Sequence, residues 1–541
     1  MATDVLTLPG KRRLPLWGLG LGLIVVISWN TTLYDENGLV KDARLTASAE
    51  SNWEDQNTLT GCDFDGYYPG ARGFGACNRG GATTTSNVYH VTNLSAAGTG
   101  SFDAALTSAC ANSGVIVFDV SGVIEYGDDY VIPNPCSDVT IAGETAPAPG
   151  IFLKEFIFRM RGATNFVVSH IYVAPGDEGA WYDSDNRDVM DFAGSLVGDN
   201  VWVQNLTGMW ASDETFTCYP ADTNTTIKSN VSFHQTAIVE PLHKSIHIDT
   251  YHSKGSLTRE ECEYFDNTRF VILHSADRNP RTYSPNRFIA NAVVYNWGST
   301  ITSDIFPPTG ALGTAATFER IPAVDNWTNF INNIYVKGPE TLDGTRSDAI
   351  GLVKASVTGN TIYEANNVLW TQGGHDRDCD TPAHNCFDGS NAGVWAAAQI
   401  TSAYPTGYVP ESMPATNPEQ IVLAQKILNH AGARPTERPT YHSRINTLFD
   451  GPINRMNGSG DEGQIKDCVA ASTCANDAGG WPILAENTIN HSNTNHCNGP
   501  IPTTTKDDLT SSDRTVLHEW LITCQDAMMP SGWRQLTLGS D

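Results

Sequence analysis

A short β-forming run recurs along this chain, and turn residues separate its copies. Most copies start roughly 30 to 40 residues apart. Repetition of one strand unit with no helical pattern between copies is typical of a solenoid or a propeller. The runs are residues 166–173, 201–206, 231–238, 270–273, 288–295, 330–336 and 361–369.

Asparagines at similar places beside these runs favour the solenoid. They are Asn291, Asn296, Asn333 and Asn367. Stacked amides can hydrogen-bond from one coil to the next, although asparagine is also an ordinary turn former. A propeller would need regular four-strand blades and a closing motif, which the sequence lacks. We therefore predict an all-β, right-handed, single-stranded parallel β-helix with a C-terminal helical or irregular covering segment.

The chain of 541 residues is long enough for one large solenoid core. Residues 66–395 are the predicted β-helix, 396–490 an extension that packs on it, and 491–541 a tail. Within the extension, residues 417–430 have a helical pattern that ends before Gly432, and residues 515–524 in the tail predict a short helix. Ile421, Ala424, Gln425 and Leu428 fall at helical spacing in the first of these helices, which could cover the side of the solenoid.

Export is predicted by the N-terminus. Lys11-Arg12-Arg13 precedes an apolar run of 16 residues, 14–29, which is the order of a signal peptide or an N-terminal anchor. Residues 1–29 form this segment, and the polar residues 30–65 form a linker or stalk. We favour an uncleaved anchor, which would attach the protein to the cell surface, whereas a cleaved signal would leave it secreted.

Twelve cysteines in an exported chain predict disulfides. Three short-range pairs are expected, Cys62/Cys77, Cys379/Cys386 and Cys468/Cys474, and the remaining connectivity is open. Glycosylation, where the host performs it, would use the sequons at Asn93, Asn224 and Asn326.

The net charge of -27 argues against nucleic acid as a partner, because phosphate binding needs clustered lysines and arginines. Binding to an anionic membrane surface is disfavoured for the same reason. An acidic protein that handles an acidic polysaccharide would need a divalent cation to bridge the two sets of carboxylates. The alternative is an acidic, solvated surface that aids solubility.

The run Phe270-Val-Ile-Leu273 leads into two arginines around a proline, Arg278-Asn-Pro-Arg281. This corner resembles the catalytic corner of the pectate lyases of polysaccharide lyase family 1. Further landmarks of that family follow in order over most of the chain. They are residues 68–76, 88–94, 98–106, 117–122, 140–147, 200–203, 210–214, 252–257, 294–298 and 431–438.

The resemblance implies a parallel β-helix that uses Ca²⁺ and cleaves a uronic-acid polysaccharide, such as pectate, by β-elimination. Removing the C5 proton of a galacturonate requires that the adjacent carboxylate be neutralised, for which Ca²⁺ is suited. By the same resemblance Asp188, Asp213 and Glu214 are the calcium ligands, with Asp191 in reserve. For any one of them the alternative is a solvated surface carboxylate.

Lys254 corresponds to the lysine of the family that binds a sugar carboxylate. Arg278 corresponds to the residue that takes the proton, an unusual task for a group that normally stays charged. Ca²⁺ and Lys254 nearby would disfavour its charged form. Arg281 would bind substrate or stabilise charge. The alternative is an arginine pair that braces a β-turn.

Two departures from the family pattern predict altered substrate preference or lost activity. Gln204-Asn205 stands where the family commonly has an Asp-His pair. Thr282 and the residues after it replace a further arginine, for which Arg287 is a candidate substitute.

Three functions are compatible with these residues. The first is a Ca²⁺-dependent pectate or related uronate lyase. The second is a non-catalytic, surface-anchored β-helix that binds glycans or forms an extracellular or virion appendage. The third is a glycoside hydrolase, which would need two carboxylates flanking the bond and no base arginine. The sequence leaves the exact sugar and the oligomeric state open.

Overall fold

The structure, a computed structural model, divides the chain into two units, Met1–Asn52 and Trp53–Asp541. In the first unit Leu33–Tyr34 pairs antiparallel with Val40–Lys41. The structure describes residues 33–34, 40–41, 73–76, 78, 80–82, 87–127, 130–133, 135–160, 162–178, 187–192, 199–218, 227–247, 252–259, 262–282, 286–298, 316–319, 327–341, 350–353, 361–378, 410–460, 463–469, 474, 476–489, 497, 501 and 516–529.

The proposed N-terminal signal or anchor segment lies outside these residues. No helix among the described residues combines the length and the apolar character that a membrane crossing requires.

The second unit is built on three long sheets, here called A, B and C. Sheet A has ten strands, all parallel. They are Val88–Val91, Gly114–Phe118, Cys136–Ala142, Ala163–Ser169, Asp199–Gln204, Ile227–His234, Cys262–Thr268, Arg287–Ala290, Trp327–Ile331 and Thr361–Ala365.

Sheet B has eleven strands, with one antiparallel strand at each edge. From edge to edge they are Asn487–Thr488, Val120–Glu125, Ile151–Lys154, Tyr172–Ala174, Thr207–Met209, Ala237–Val239, Val271–Leu273, Val293–Tyr295, Ile334–Val336, Val368–Thr371 and Gly374–Asp378.

Sheet C has eight parallel strands. They are Tyr130–Val131, Phe158–Arg159, Met190–Asp191, Glu214–Cys218, Lys254–Thr258, Arg281–Thr282, Ala316–Glu319 and Ile350–Val353. Through most of the solenoid the chain visits A, B and C in turn, and each strand pairs with the strand of the next coil. This topology is a parallel β-helix, which confirms the predicted fold.

Most of the β-forming runs that recur in the sequence are two strands rather than one. The run 166–173, for example, ends one strand of sheet A at Ser169 and begins a strand of sheet B at Tyr172. His170 between them has a φ of 53°, which turns the chain. Asn291 does the same at 54°, and asparagine tolerates this left-handed conformation better than most residues. Apolar alternation continues around the corner, so the sequence conceals the break.

The asparagine prediction is confirmed where neighbouring coils stack. The Asn333 side-chain amide donates to Asn367 Oδ1 at 2.8 Å, and Asn333 Oδ1 accepts from the backbone N–H of Ala292 at 2.9 Å. Asn291 has another task. Its amide exchanges hydrogen bonds of 2.8 and 2.9 Å with the main chain of Glu411, and so holds the covering segment against the solenoid.

Five helices lie in the described part of the second unit: α1 (Phe102–Asn112), α2 (Asn417–His430), α3 (Arg438–Tyr441), α4 (Ser443–Met456) and α5 (Val516–Met528). The prediction of a helix at 417–430 is confirmed, and α5 extends the predicted 515–524. Helices α2 and α4 pack on sheet B in one apolar cluster. Of the four residues placed at helical spacing in α2, Ala424 and Leu428 are buried in this cluster, and Ile421 and Gln425 are half-buried. Leu423 and Ile427 complete the buried face.

Four disulfides lie within the described residues. The predicted Cys468–Cys474 bond is present. The predicted pairs Cys62/Cys77 and Cys379/Cys386 lie outside the described residues. Three further bonds, which the sequence could not pair, are Cys110–Cys136, Cys218–Cys262 and Cys497–Cys524.

Candidate active site

The candidate site lies where neighbouring strands of sheet C begin. Asp188 precedes the strand Met190–Asp191 by two residues, and Glu214 and Lys254 are the first residues of their strands. The register pairs Glu214 with Lys254, and Lys254 with Asp277. Neighbouring strands lie about 4.8 Å apart. The coil geometry thus places side by side residues that are tens of positions apart in sequence.

Three carboxylates form a compact cluster at this edge. One ligand oxygen from each of Asp188, Asp213 and Glu214 lies within 4.8 Å of the others. Asp188 is buried, and its Oδ1 has no hydrogen-bond partner among the described residues. Burial raises the pKa of Asp188 well above its usual range, and the nearby charges of Asp213 and Asp191 raise it further.

This cluster fits a hard divalent cation. Oxygen ligands of this number and charge suit Ca²⁺, and a bound cation would compensate the buried negative charge that raises the pKa of Asp188. Asp191, the reserve candidate, is not in the cluster. Its Oδ2 accepts a hydrogen bond of 2.8 Å from Arg159 in a buried ion pair, so it already has a counter-ion.

Arg278 lies against this cluster, because its Nη1 contacts Glu214 Oε1 in an ion pair. The arginine has a φ of 59°, and its backbone N–H donates to Asp277 Oδ1 at 2.7 Å. The left-handed backbone therefore turns the chain at Arg278 while the Asp277 side chain caps the turn.

The strand that carries Lys254 holds the arginine corner in place. Gly255 N–H donates to the carbonyl of Asp277 at 2.9 Å, and Ser256 N–H donates to the carbonyl of Arg278 at 2.6 Å. A Cβ added at Gly255 would lie 2.6 Å from that Arg278 carbonyl oxygen. The corner can therefore approach Lys254 closely only because residue 255 has no side chain.

Lys254 is buried beside the cluster, since 8% of it is exposed. Arg281 is half-buried and pairs with Leu257, three residues further along the strand than Lys254. Lys254 and Arg281 therefore lie on neighbouring strands of sheet C.

Sequence reasoning missed two histidines at this site. His252 Nε2 lies 2.7 Å from Asp213 Oδ1, and His247 Nε2 lies 3.8 Å from the same oxygen. Burial lowers the pKa of the His252 imidazole, although Asp213 opposes that shift. A signal was present for His252, because it lies only two positions before Lys254 in the sequence.

Both residues of the first departure from the family pattern, Gln204-Asn205, have structural tasks in this chain. Gln204 Oε1 accepts from the Trp202 indole at 3.1 Å. The Asn205 amide donates to the carbonyls of His430 at 2.6 Å and Gly432 at 3.0 Å, which fastens the end of α2 to the solenoid. These contacts are not with the carboxylate cluster.

Arg287 does not replace the missing arginine of the corner. Its side chain is fully buried and donates to Thr282 Oγ1 at 3.1 Å and to Asn267 Oδ1 at 2.9 Å. The guanidinium also lies 4.5 Å from the centre of the Phe265 ring. Arg287 thus braces the solenoid interior.

No protein-family model matches the chain. Two proteins named "Probable pectate lyase C" are similar to it, one from Aspergillus fumigatus (30% identity over 276 residues) and one from Aspergillus oryzae (32% over 234). These alignments cover 51% and 43% of this chain, and 55% and 48% of the relatives. The chain therefore spans about half the length of the curated relatives it matches, and over that part it is pectate lyase-like.

Solved pectate lyases resemble the solenoid loosely. A pectate lyase bound to hexasaccharide has a TM-score of 0.44 and 12% identity, over 68% of this chain and 98% of that protein. A mutant pectate lyase of Bacillus subtilis has a TM-score of 0.43 and 14% identity, over 67% and 96%. Likeness at this level does not bear on activity.

Proposed function

We propose that this pectate lyase-like chain is a polysaccharide lyase that cleaves pectate, or a related uronic-acid polysaccharide, by β-elimination. One observation carries the proposal. Asp188, Asp213, Glu214, Lys254 and Arg278 meet at the start of adjacent strands of sheet C, although 90 positions separate the first from the last.

Asp188, Asp213 and Glu214 would hold Ca²⁺, which when bound neutralises the carboxylate next to the reacting carbon and so makes its C5 proton more acidic. Lys254 would bind a substrate carboxylate as a point charge. Arg281, next along the sheet, would bind a further carboxylate of the same polymer. Carboxylates of different sugars along the polymer would then each meet a cation of the protein.

Arg278 would accept the C5 proton. The C4–O bond then breaks, its electrons leave with the glycosidic oxygen, and a C4–C5 double bond forms. The ion pair with Glu214 stabilises the charged guanidinium, which cannot take a proton. The base role therefore requires that this pair open when the site is loaded. A base supplies roughly 10²- to 10⁴-fold in rate.

We also propose that the protein acts outside the cell, secreted or held by its N-terminal segment. Four disulfides among the described residues favour an oxidising compartment. Such a location is also where a polymer of uronic acids would be met.

The test incubates the full chain with polygalacturonate, with Ca²⁺ or with a chelator, and follows ultraviolet absorbance from the new double bond. We expect a calcium-dependent rise that Arg278→Ala lowers by about 10²-fold or more. Arg269→Ala is a matched control. Arg269 also has a left-handed backbone, with φ of 51°, and an ion pair with a glutamate, Glu411 at 3.4 Å.

Equal loss in the two variants would mean that an arginine corner matters only for the fold. No rise on pectate or on other uronans would reject the lyase and favour a solenoid that binds glycans without cleaving them.

A further inference from the structure

Two imidazoles converge on one side of Asp213. The rings of His247 and His252 stack with their centres 3.7 Å apart and their planes at 26°. One ligand atom of each histidine and one oxygen of Asp213 lie within 4.8 Å of one another. Both histidines are buried, and 14% of the Asp213 side chain is exposed.

A hydrogen bond to Asp213 does not account for this arrangement. One imidazole nitrogen suffices to orient a carboxylate, yet two rings face the same oxygen. In the described part of the chain, neither ring nitrogen of buried His252 makes a hydrogen bond, although its Nε2 lies 2.7 Å from Asp213 Oδ1. Buried polar atoms usually have partners, and an exception calls for an explanation such as an ion.

We infer that His247, His252 and Asp213 form a second metal site, which binds a transition-metal ion of the zinc class. Two imidazoles and one carboxylate form a common ligand set for such ions and leave coordination positions open. Ligand bonds of about 2.0–2.2 Å require donor atoms within roughly 4.4 Å of one another. The separations of 2.7 and 3.8 Å from Asp213 Oδ1 meet that limit.

The ligand types separate this site from the carboxylate cluster beside it. Ca²⁺ prefers oxygen ligands, which Asp188 and Glu214 provide. Imidazole nitrogen is a softer ligand and selects zinc, nickel, cobalt or copper. Asp213 belongs to both sets. The transition metal and Ca²⁺ should therefore compete, through the shared carboxylate and through the repulsion of two dications.

The inference shares Asp213 with the proposed calcium site but does not depend on lyase activity, so its test measures metal binding alone. The full chain, stripped with a chelator, is titrated with Co²⁺, which reports its ligands through visible absorption bands. We expect one equivalent to bind with such bands, and His247→Gln and His252→Gln each to weaken binding roughly tenfold or more. Saturating Ca²⁺ should weaken it roughly fivefold or more.

His90→Gln is the matched control, because His90 Nδ1 lies 2.9 Å from Asp119 Oδ2 in a pair that has one imidazole. Co²⁺ binding in this variant should equal that of the parent chain. Should His252→Gln fail to fold, Co²⁺ binding by His247→Gln alone tests the site. His247 lies farther from Asp213, so its replacement disturbs the packing around Asp213 less. Absence of Co²⁺ bands, or bands that both glutamine variants retain, would overturn the site. Co²⁺ binding that Ca²⁺ does not weaken would overturn the sharing of Asp213.

Discussion

Replacing Gly255 by alanine should slow the proposed reaction without unfolding the protein. The new Cβ would lie 2.6 Å from the Arg278 carbonyl oxygen and 2.5 Å from Asn279 Oδ1. Contacts of that length do not persist, and a shift of about 0.8 Å is needed to bring the 2.6 Å contact to an ordinary 3.4 Å. The arginine corner must move, because Gly255 lies within a paired strand and cannot easily retreat.

A misplacement of about 1 Å in a reacting group can cost about 10²-fold in rate. We therefore expect Gly255→Ala to lower kcat by about 10²-fold, which corresponds to about 2.7 kcal/mol of activation free energy. KM should change less, since Lys254 stays in its strand. Initial rates of absorbance increase on polygalacturonate, over a range of substrate concentrations with saturating Ca²⁺, would separate the two constants.

Gly374→Ala is the matched control. It is also a glycine within a strand of the solenoid, and the nearest atom to its added Cβ is Thr371 Oγ1 at 3.9 Å, an ordinary contact. This variant should keep the parent kcat. A Gly255→Ala protein that folds and turns over at the parent rate would refute the argument that close approach of this strand positions Arg278.

Further predictions concern stability, measured by denaturant unfolding. Removing the Cys218–Cys262 bond by replacing both cysteines with serine should cost about 4 kcal/mol, from the loop that a sequence separation of 44 closes. Asn205→Ala should cost about 1–3 kcal/mol, because two main-chain carbonyls lose their buried donor. Burial raises the pKa of Asp266 from 3.8 to about 7, so the folded protein keeps a proton that the unfolded chain releases. This group should therefore lower stability as pH rises between about 4 and 7. Asp266→Asn should remove that part of the slope, and an unchanged slope would contradict the assignment.

Local sequence patterns were sufficient for the elements that depend on local interactions. Helix α2 occupies the predicted residues 417–430, because proline near its start, apolar spacing and a following glycine are all signals within the segment. The spacing identified only part of the buried face, since Ala424 and Leu428 are buried but Ile421 and Gln425 are half-buried. Leu423 and Ile427 turn inward because sheet B lies on that side, and nothing within the helix specifies where its partner is.

At the corners of the solenoid, too, local sequence indicated some features and tertiary packing decided others. Each run of β-forming residues was evident, but the break at His170 was not, because histidine is not a typical turn residue and the apolar pattern continues past it. At Asn291 the residue type did suggest a turn. Its bonds to Glu411, 120 positions away, depend on a segment that docks from elsewhere in the chain.

At the site, resemblance to a family could nominate Asp188, Asp213 and Glu214 but could not exclude Asp191. Only the structure shows that Asp191 lies outside the cluster of those three carboxylates and pairs with Arg159. Equally, the sequence gives no sign that Gln204 and Asn205 serve Trp202 and the end of α2, since those partners are chosen by packing.

The sequence by itself determined the repeating strand unit, the turn residues and the types of chemical group available, because these depend on composition and on neighbours within a few positions. The tertiary structure alone decided which groups meet. Coils of unequal length bring Glu214 beside Lys254, pair Arg278 with Glu214 and turn two histidines toward Asp213. The register between coils depends on the packing of the whole solenoid. The charge at the site is the sum of side chains that only this register brings together.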